Sequence, residues 1–302
     1  MQQMMENRDR QIKRITLWSV AANTLLTVCK IIAGILGRSA AMVADGIHSL
    51  SDLLSDAVVL VFTHISAKGK DRDHSFGHGK FETLATLIVS IILIIVGANL
   101  MSGGTKSIIN VLNGGIIPKP GYIAAAAAVI SIAAKEILYR VTAKVGKEAN
   151  SPAVIANAWH HRSDALSSIG SLAGISGAIL LGDKWTILDP IASCIISVAI
   201  IIVGVKMAIP NLAELLEASL PEEMEEEIVR IALSVDGVND IHDLKTRRNG
   251  ISVIIDAHIV VDPQMTVTQA HDIATQVEDR IREKFGQQTQ VSTHIEPDKT
   301  SR

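Results

Sequence analysis

Long apolar runs separated by short charged segments make up the first two thirds of the chain. A helix needs about 20 mostly apolar residues to cross a bilayer, and each run is close to that length. The pattern predicts six spanning helices, at residues 15–36, 39–65, 83–105, 121–138, 152–182 and 186–205. The second and fifth runs each carry a polar face, so we expect these two helices to lie inside the bundle, shielded from lipid by the other four.

The pattern changes after Pro210. Apolar residues at helical spacing predict helices at 222–235 and 266–285, and an extended, alternating pattern predicts strands at 238–246, 251–261 and 289–296. The segment Arg248-Asn249-Gly250 is typical of a hairpin turn. We therefore predict a polytopic α-helical membrane domain over residues 1–210. A small α+β domain of α-β-β-α-β order follows over residues 211–302, with its helices on one face of the sheet.

The composition agrees with this division. The chain is 48% hydrophobic and 20% charged, which is too apolar for an ordinary soluble protein and too charged for one lying wholly within a membrane. From Asn211 onward there are 18 acidic and 9 basic residues, so an acidic tail follows a basic body. This distribution does not indicate nucleic-acid binding. Cys29 and Cys194 lie in separate apolar runs and indicate neither a disulfide framework nor a thiolate metal site.

Lysine and arginine residues in short loops set the orientation of a membrane protein. Twelve fall on the side of the N-terminus and four on the opposite side, which predicts that both termini are cytoplasmic. The larger group consists of Arg8, Arg10, Lys13, Arg14, Lys68, Lys70, Arg72, Lys80, Lys135, Arg140, Lys144 and Lys147. We expect no cleavable signal peptide, because the start of the chain is polar and the apolar run after it is long.

Two nearly identical segments lie within the second and fifth spans. Both have the form Ala-(Asp/Asn)-x-x-His-x-x-x-Asp, at residues 44–52 and 156–164. On a helix, His48 and Asp52 share one face, and so do His160 and Asp164. Two such helices packed together supply two nitrogen and two oxygen ligands, a tetrahedral set that suits zinc above all. The alternative is that these are ordinary buried polar residues, but ionisable groups are costly in a membrane and here the same pair occurs twice.

The loop between the second and third spans carries a second group of metal-ligand types. Asp71, His74 and His78 stand at i, i+3 and i+7. They predict a more exposed metal site that captures or holds a cation near the entrance. The alternative is a polar loop whose histidines are incidental.

The fifth span is also rich in small residues. Gly170, Gly174 and Gly177 permit close approach of a neighbouring helix. Two uses of these glycines remain open: tight helix packing, and helix movement during transport.

The predicted tail domain contains a third set of candidate ligands. His258 on the second strand lies on the face opposite Ile255 and Ile259, and on the last strand the period of two puts two further candidates on one face. The candidates are His242, His258, His271, His294 and Glu296.

With these motifs in hand, the sequence resembles the cation diffusion facilitator family over nearly its whole length. The matching features are Asp45-x-x-His48-x-x-x-Asp52, the loop 74–80 (His-Ser-Phe-Gly-His-Gly-Lys), His160-x-x-x-Asp164 and His242-Asp243-Leu244. The resemblance implies six transmembrane helices, a Y-shaped homodimer and a cytoplasmic tail with a metallochaperone-like fold. It also implies a secondary active transporter, not an enzyme, that exports divalent metal from the cytoplasm in exchange for protons.

The family's functional residues carry over onto matching positions. The resemblance implies an intramembrane transport site of His48, Asp52, His160 and Asp164, and a loop site of Asp71, His74 and His78. It further implies a tail site of His242, His258, His271, His294 and Glu296 that bridges two protomers, and an interprotomer charge pair between Lys80 and Glu217. A histidine in both halves of the transport site is more similar to zinc-selective members than to manganese carriers. Zn²⁺ is thus the expected substrate and regulatory ligand, with cobalt, iron and manganese as alternatives.

Proton coupling also follows from the chemistry of the ligands. A metal binds neutral imidazole and ionised carboxylate, so loading expels protons and protonation expels metal. Two functions of other classes remain to be tested. A membrane metallohydrolase needs an open coordination position and a positioned base, and neither is indicated here. A membrane-bound metal sensor or assembly protein would bind metal without transporting it. The expected location is a bacterial plasma membrane, with an internal membrane as the alternative.

Overall fold

The computed structural model describes residues 2–66, 70–148, 152–250 and 252–298. Six long helices come first, with a short 3-10 turn (Asp183–Trp185) between the fifth and the sixth, and a small α+β domain follows. The long helices are α1 Gln2–Leu36, α2 Ala40–Ser66, α3 Lys80–Leu112, α4 Tyr122–Glu148, α5 Pro152–Leu180 and α6 Leu188–Leu215. The later elements are α7 Glu222–Leu233, β1 Asp240–Asn249, β2 Ser252–Val261, α8 Val267–Phe285 and β3 Gln290–Pro297.

Within the described residues, five of the long helices are apolar enough to cross a membrane: α1, α3, α4, α5 and α6. The remaining one, α2, spans 27 residues, or about 40 Å at 1.5 Å per residue. It carries the first motif, and its first two turns include the fully buried residues Ala41, Met42 and Ala44. A helix whose first turns pack against its neighbours in this way can carry polar residues on its buried face.

The chain divides into two compact units of contacts, one formed by residues 1–57 and 89–206 and the other by 58–88 and 207–302. In the first unit, α4 packs against both α5 and α1. Small side chains fill its centre, where Ala124 and Ala128 of α4 meet Ala41 of α2 and Ala192 of α6. Small residues let helix backbones approach closely, which is the usual way that membrane helices pack.

The beginning of α2 is fixed by a carboxylate of α6. Asp189 accepts hydrogen bonds from Ser39 Oγ (2.5 Å) and from the backbone N–H of Ala40 (2.7 Å). The first N–H groups of a helix have no partner within the helix. Asp189 supplies one from a neighbouring element and also places negative charge at the positive end of the helix.

The tail domain has the predicted α-β-β-α-β order. Its sheet has the order β1-β2-β3, with β1 and β2 antiparallel and β2 and β3 parallel. Strand β2 alternates as expected: Ile255 and Ile259 face the core that α7 and α8 cover, whereas His258 lies on the opposite face. The hairpin turns at Gly250, whose φ of 62° is the left-handed value that glycine adopts easily.

Three of the long helices extend well beyond their predicted ends, and one of them is α3, which was predicted to end at residue 105 and ends at Leu112. Helix α6 continues through Pro210 to Leu215, five residues past the predicted change of pattern. Helix α4 continues to Glu148, so Lys135 does not lie in a loop; it is buried in the helix at 3% exposure. Lys135 was counted with the surface charges that set the orientation, and that count was wrong because its side chain is buried, whereas Arg140, Lys144 and Lys147 on the same helix are exposed. Removing Lys135 from the count leaves the bias of positive charge on the same side.

Candidate metal centre

Helices α2 and α5 bring together three of the four residues predicted to form the intramembrane site. Ligand atoms of Asp52, His160 and Asp164 all lie within 4.8 Å of one another. Asp164 is buried at 6% exposure, Asp52 is half-buried, and His160 faces outward. This group does not include His48, which lies one turn before Asp52 on α2. The Nδ1 atom of His48 is buried without a hydrogen-bond partner among the described residues.

The two carboxylates of this group have different surroundings. Asp164 Oδ2 accepts a hydrogen bond from Lys135 Nζ at 2.6 Å, and its Oδ1 lies 3.7 Å from His160 Nδ1. Asp52 Oδ2 is buried and has no hydrogen-bond partner within the described part of the chain. A buried oxygen without a donor is unfavourable unless something absent from the structure satisfies it. The Asp52 oxygen therefore fits a position where a cation binds.

A second buried ion pair lies next to this site. Lys30 Nζ is 2.9 Å from Asp45 Oδ2, and both side chains are closed to solvent. Ser168 Oγ donates to Asp45 Oδ2 at 2.9 Å and lies 3.2 Å from Ser131 Oγ. Asp45 belongs to the first motif and shares a helix face with His48 and Asp52. Its carboxylate is nevertheless occupied by Lys30 and the serines.

Lys30 and Lys135 are buried charged residues beside the site that the motifs did not reveal. A signal for both exists in the sequence as a stripe of small and polar residues. The buried face of α4 consists of Ala124, Ala128, Ser131, Lys135, Leu138, Thr142 and Gly146, three or four residues apart. On α1, Thr27, Lys30 and Ala33 are buried at a spacing of three residues. A lysine that continues such a stripe faces the interior, because the spacing keeps it on the same side of the helix.

The loop after α2 brings its three predicted ligands together. Ligand atoms of Asp71, His74 and His78 lie within 4.8 Å of one another. The carboxylate of Asp71 is 3.2 Å from His78 Nε2 and 3.4 Å from His74 Nδ1. The two imidazole rings are adjacent, with their centroids 4.4 Å apart.

Asp71 also holds the loop in shape. Its Oδ1 accepts hydrogen bonds from the backbone N–H of His74 (2.7 Å) and of Asp73 (3.0 Å). The bond from His74, assisted by the one from Asp73, keeps the pKa of Asp71 below its ordinary value. The side chain is thus an ionised carboxylate at neutral pH, the form that a metal requires.

The same loop packs on the tail hairpin within the second unit. The carbonyl oxygen of Phe76 accepts hydrogen bonds from Asn249 Nδ2 (2.8 Å) and from Gln290 Nε2 (3.2 Å). Lys80 forms an ion pair with Glu217, which also lies 3.0 Å from Arg247. The resemblance implied an interprotomer pair for Lys80; the structure places this contact within one chain.

In the tail, the sheet brings three of the five predicted ligands together. Ligand atoms of His242, His258 and Glu296 lie within 4.8 Å of one another. Glu296 bridges the two imidazoles, with Oε1 3.0 Å from His258 Nδ1 and Oε2 3.5 Å from His242 Nε2. His294 contacts His258 with ring centroids 4.8 Å apart and the rings tilted by 57°, but it is not part of the group. His271 lies exposed on α8, outside it.

Asp243 is a further candidate metal ligand in the tail. It belongs to the His242-Asp243-Leu244 motif but was not among the predicted ligands. It lies at a bulge of β1 with a φ of 48°, and its Oδ2 is 3.5 Å from His258 Nε2. The hydrogen bond from Lys245 lowers the pKa of Asp243. A bulge re-aims a side chain without leaving a clear sequence pattern, which explains why this position was not predicted as a ligand.

Comparison with known proteins gives matches over nearly the whole chain. A family model described as "Cation efflux transmembrane domain" matches residues 16–216, and another described as "Cation efflux protein, cytoplasmic domain" matches residues 220–298. The "Manganese efflux system protein MneP" of Bacillus subtilis is 35% identical, over 97% of this chain and 99% of its own length.

Two further relatives come from a plant and from another bacterium. "Metal tolerance protein C1" of Arabidopsis thaliana is 35% identical, over 94% of this chain but only 62% of its own. "Magnetosome protein MamB" of Paramagnetospirillum magneticum is 29% identical, over 94% of both chains.

Proposed function

This chain belongs to the cation efflux family, also called the cation diffusion facilitators, and from that premise we propose that it exports zinc from the cytoplasm in exchange for protons. It is an integral membrane protein whose role is the efflux of divalent metal cations. The observation that carries the finer proposal is the convergence of Asp52, His160 and Asp164 between helices α2 and α5. These residues, with His48 one turn away, are the proposed transport site.

The donor set supports zinc as the cargo. A four-ligand site that combines imidazole nitrogen with carboxylate oxygen is typical of Zn²⁺. This ion favours tetrahedral coordination and binds nitrogen ligands as well as oxygen ligands. Completing the set requires His48 to join the other three. A change in the side-chain conformation of His48 is the proposed consequence of metal loading.

Proton exchange is the proposed driving process. Metal and protons compete for the same imidazole and carboxylate atoms, so a site open to one side at a time releases metal when protons bind. Histidine titrates near neutral pH, with an ordinary pKa of about 6.5, which suits exchange against a physiological proton gradient.

Manganese is a second candidate cargo, and a specific observation favours it. The relative described as a manganese efflux protein is 35% identical and aligns over 97% of this chain. The group in the structure also has two carboxylates and only one imidazole, and oxygen-rich sites suit manganese better than zinc. The role of His48 therefore decides between the two metals.

The remaining assignments are proposals of the same kind. The loop group Asp71, His74 and His78 holds metal near the cytoplasmic entrance. The tail group is a regulatory metal site in a domain that pairs two copies into a homodimer, which the match to the family's cytoplasmic domain supports. Both termini are proposed to be cytoplasmic, in a bacterial plasma membrane.

The test is flux through the purified protein in proteoliposomes under an imposed pH gradient, with zinc, cadmium, manganese, iron and cobalt compared. Asp52→Ala and Asp164→Ala are expected to abolish metal-dependent flux. Asp183→Ala removes an exposed carboxylate of the same unit (87% exposed) and should transport normally. Flux retained by Asp52→Ala would contradict the site. Metal binding without flux in the unmodified protein would favour a sensor or assembly role.

His48→Ala separates the two cargoes in the same assay. If zinc is carried by all four residues, this variant loses zinc flux. If manganese is carried mainly by the oxygen ligands, manganese flux persists.

A further inference from the structure

The transport site contains a positive charge of its own. Lys135 reaches from α4 to Asp164 on α5, where its ammonium donates to Oδ2 at 2.6 Å. Both side chains are almost fully buried, at 4% and 6% exposure. Burying an ammonium group is costly unless it pairs with a carboxylate. The pairing with Asp164 therefore accounts for a lysine at this buried position.

A count of charges shows what this lysine does when the site is empty. Asp52 and Asp164 contribute two negative charges, and the ammonium of Lys135 cancels one of them. Asp45, the other carboxylate nearby, is already neutralised by Lys30 at 2.9 Å. With both carboxylates ionised and no metal bound, the site carries one uncompensated negative charge, on Asp52, where it would carry two without Lys135.

Loading with a divalent cation changes the balance. The two carboxylates together offset the +2 charge of the metal and the two neutral imidazoles add none, so an ammonium remaining among them leaves an excess positive charge. Like charges close together in a buried environment repel strongly. The metal and the Lys135 ammonium thus compete for Asp164, whose Oδ2 the ammonium contacts at 2.6 Å.

We propose that Lys135 is the resident counter-cation of the empty transport site: its ammonium occupies Asp164 when metal is absent and withdraws when metal binds. The role matters for the step in which the metal-free carrier returns to face the cytoplasm, because each buried carboxylate that holds no proton at that step needs a counter-charge. This inference rests on the proposed transport function. It concerns a positioning residue of the cycle, since Lys135 does not ligate the metal.

The experiment compares two modes of transport in the same proteoliposomes, first with radioactive zinc and then with radioactive manganese. Exchange, with metal on both sides, moves only the loaded carrier. Net efflux, with metal on one side, also requires the empty carrier to return. In Lys135→Gln we expect net efflux to fall about tenfold or more while exchange stays within about twofold of the unmodified protein, because an unpaired buried charge affects only the empty state.

Two control variants define the effect. Lys135→Arg keeps the positive charge and should retain net efflux. Lys144→Gln removes an exposed lysine of the same helix, 77% exposed, and should change neither mode.

Each outcome bears on the proposal. Equal net efflux in Lys135→Gln and the unmodified protein overturns it. Loss of exchange together with net efflux in Lys135→Gln also overturns it, because the lysine would then be needed by the loaded site or by the fold. The absence of both modes in the unmodified protein would instead refute the transport function itself.

Discussion

The ammonium of Lys30 on α1 lies 2.9 Å from the carboxylate of Asp45 on α2, with the two side chains 1% and 0% exposed. Ser167 and Ser168 of α5 donate further hydrogen bonds to the same carboxylate. Three helices are thereby joined beside the transport site. Asp45 stands one turn from His48 in the sequence motif, yet its role is to hold α1, α2 and α5 together.

Removing one member of this pair is expected to destabilise the membrane unit strongly. Lys30→Met leaves the Asp45 carboxylate buried and unpaired, which costs about 3–5 kcal/mol. The thermal midpoint of unfolding in detergent should fall clearly. It is measured by size-exclusion chromatography of samples heated to increasing temperatures. The matched control is Lys119→Met, which breaks an exposed ion pair with Asp183 (44% and 87% exposed). An exposed pair of this kind contributes about 0–1 kcal/mol to stability. Equal midpoints for the two variants would show that the buried pair adds no stability.

The contact between α5 and α6 gives a second prediction. A Cβ atom added at Gly174 would lie 2.5 Å from Ala192 Cβ and 3.0 Å from the carbonyl oxygen of Leu188, whereas one added at Gly170 meets nothing within 4 Å. Gly174→Ala should therefore cost about 1–3 kcal/mol through overpacking.

Gly170→Ala is the control for that substitution, and it should be neutral or slightly stabilising, because alanine favours a helix over glycine by about 1 kcal/mol. Thermal midpoints of both variants check the prediction, and flux at a temperature where both are folded separates packing from movement. A stable Gly174→Ala variant that no longer transports would indicate that this contact must slide.

The elements that the sequence predicted well are those whose pattern is local. In the tail, alternation along β2 placed Ile255 and Ile259 in the core and His258 on the opposite face, as the structure shows. Thr266 was included at the start of the last predicted helix and proves to be its N-cap, with Gln269 completing a capping box. The spacing of Asp71, His74 and His78 likewise predicted a group that the loop forms.

The features that were missed depend on contacts between distant segments. Lys135 follows an alanine-rich run and precedes a glutamate, a pattern typical of a helix end at the membrane surface. Its pairing with Asp164 depends on how α4 lies against α5, which no local pattern contains. Asp243 was missed because a bulge in β1 turns it toward His258.

Asp71 has two functions in the loop, and two substitutions separate them. Asp71→Asn keeps an oxygen that accepts the backbone hydrogen bonds of His74 and Asp73, but it removes the charge that a metal needs. We expect this variant to keep the loop resistant to limited proteolysis while the metal concentration for half-maximal flux rises. Asp71→Ala should lose both properties. Asp73→Asn, an exposed neighbour, is the control. If Asp71→Asn transports with unchanged dependence on metal concentration, the loop does not capture cargo.

Glu296 offers the clearest test of the tail site, because one carboxylate contacts both histidines of the group. Glu296→Gln keeps the shape of the side chain but removes the negative charge, so the metal affinity of the tail should fall about tenfold or more, equivalent to about 1.4 kcal/mol. The measurement is the number of zinc ions retained per full-length chain after equilibrium dialysis. Transport at saturating metal should persist, since the intramembrane ligands are intact.

The control is Asp272→Asn, which changes an exposed acidic residue on α8. This variant should retain the full number of ions. If Glu296→Gln also retains it, the tail group does not bind metal, and Asp243 and the histidines are then only part of the surface of the sheet.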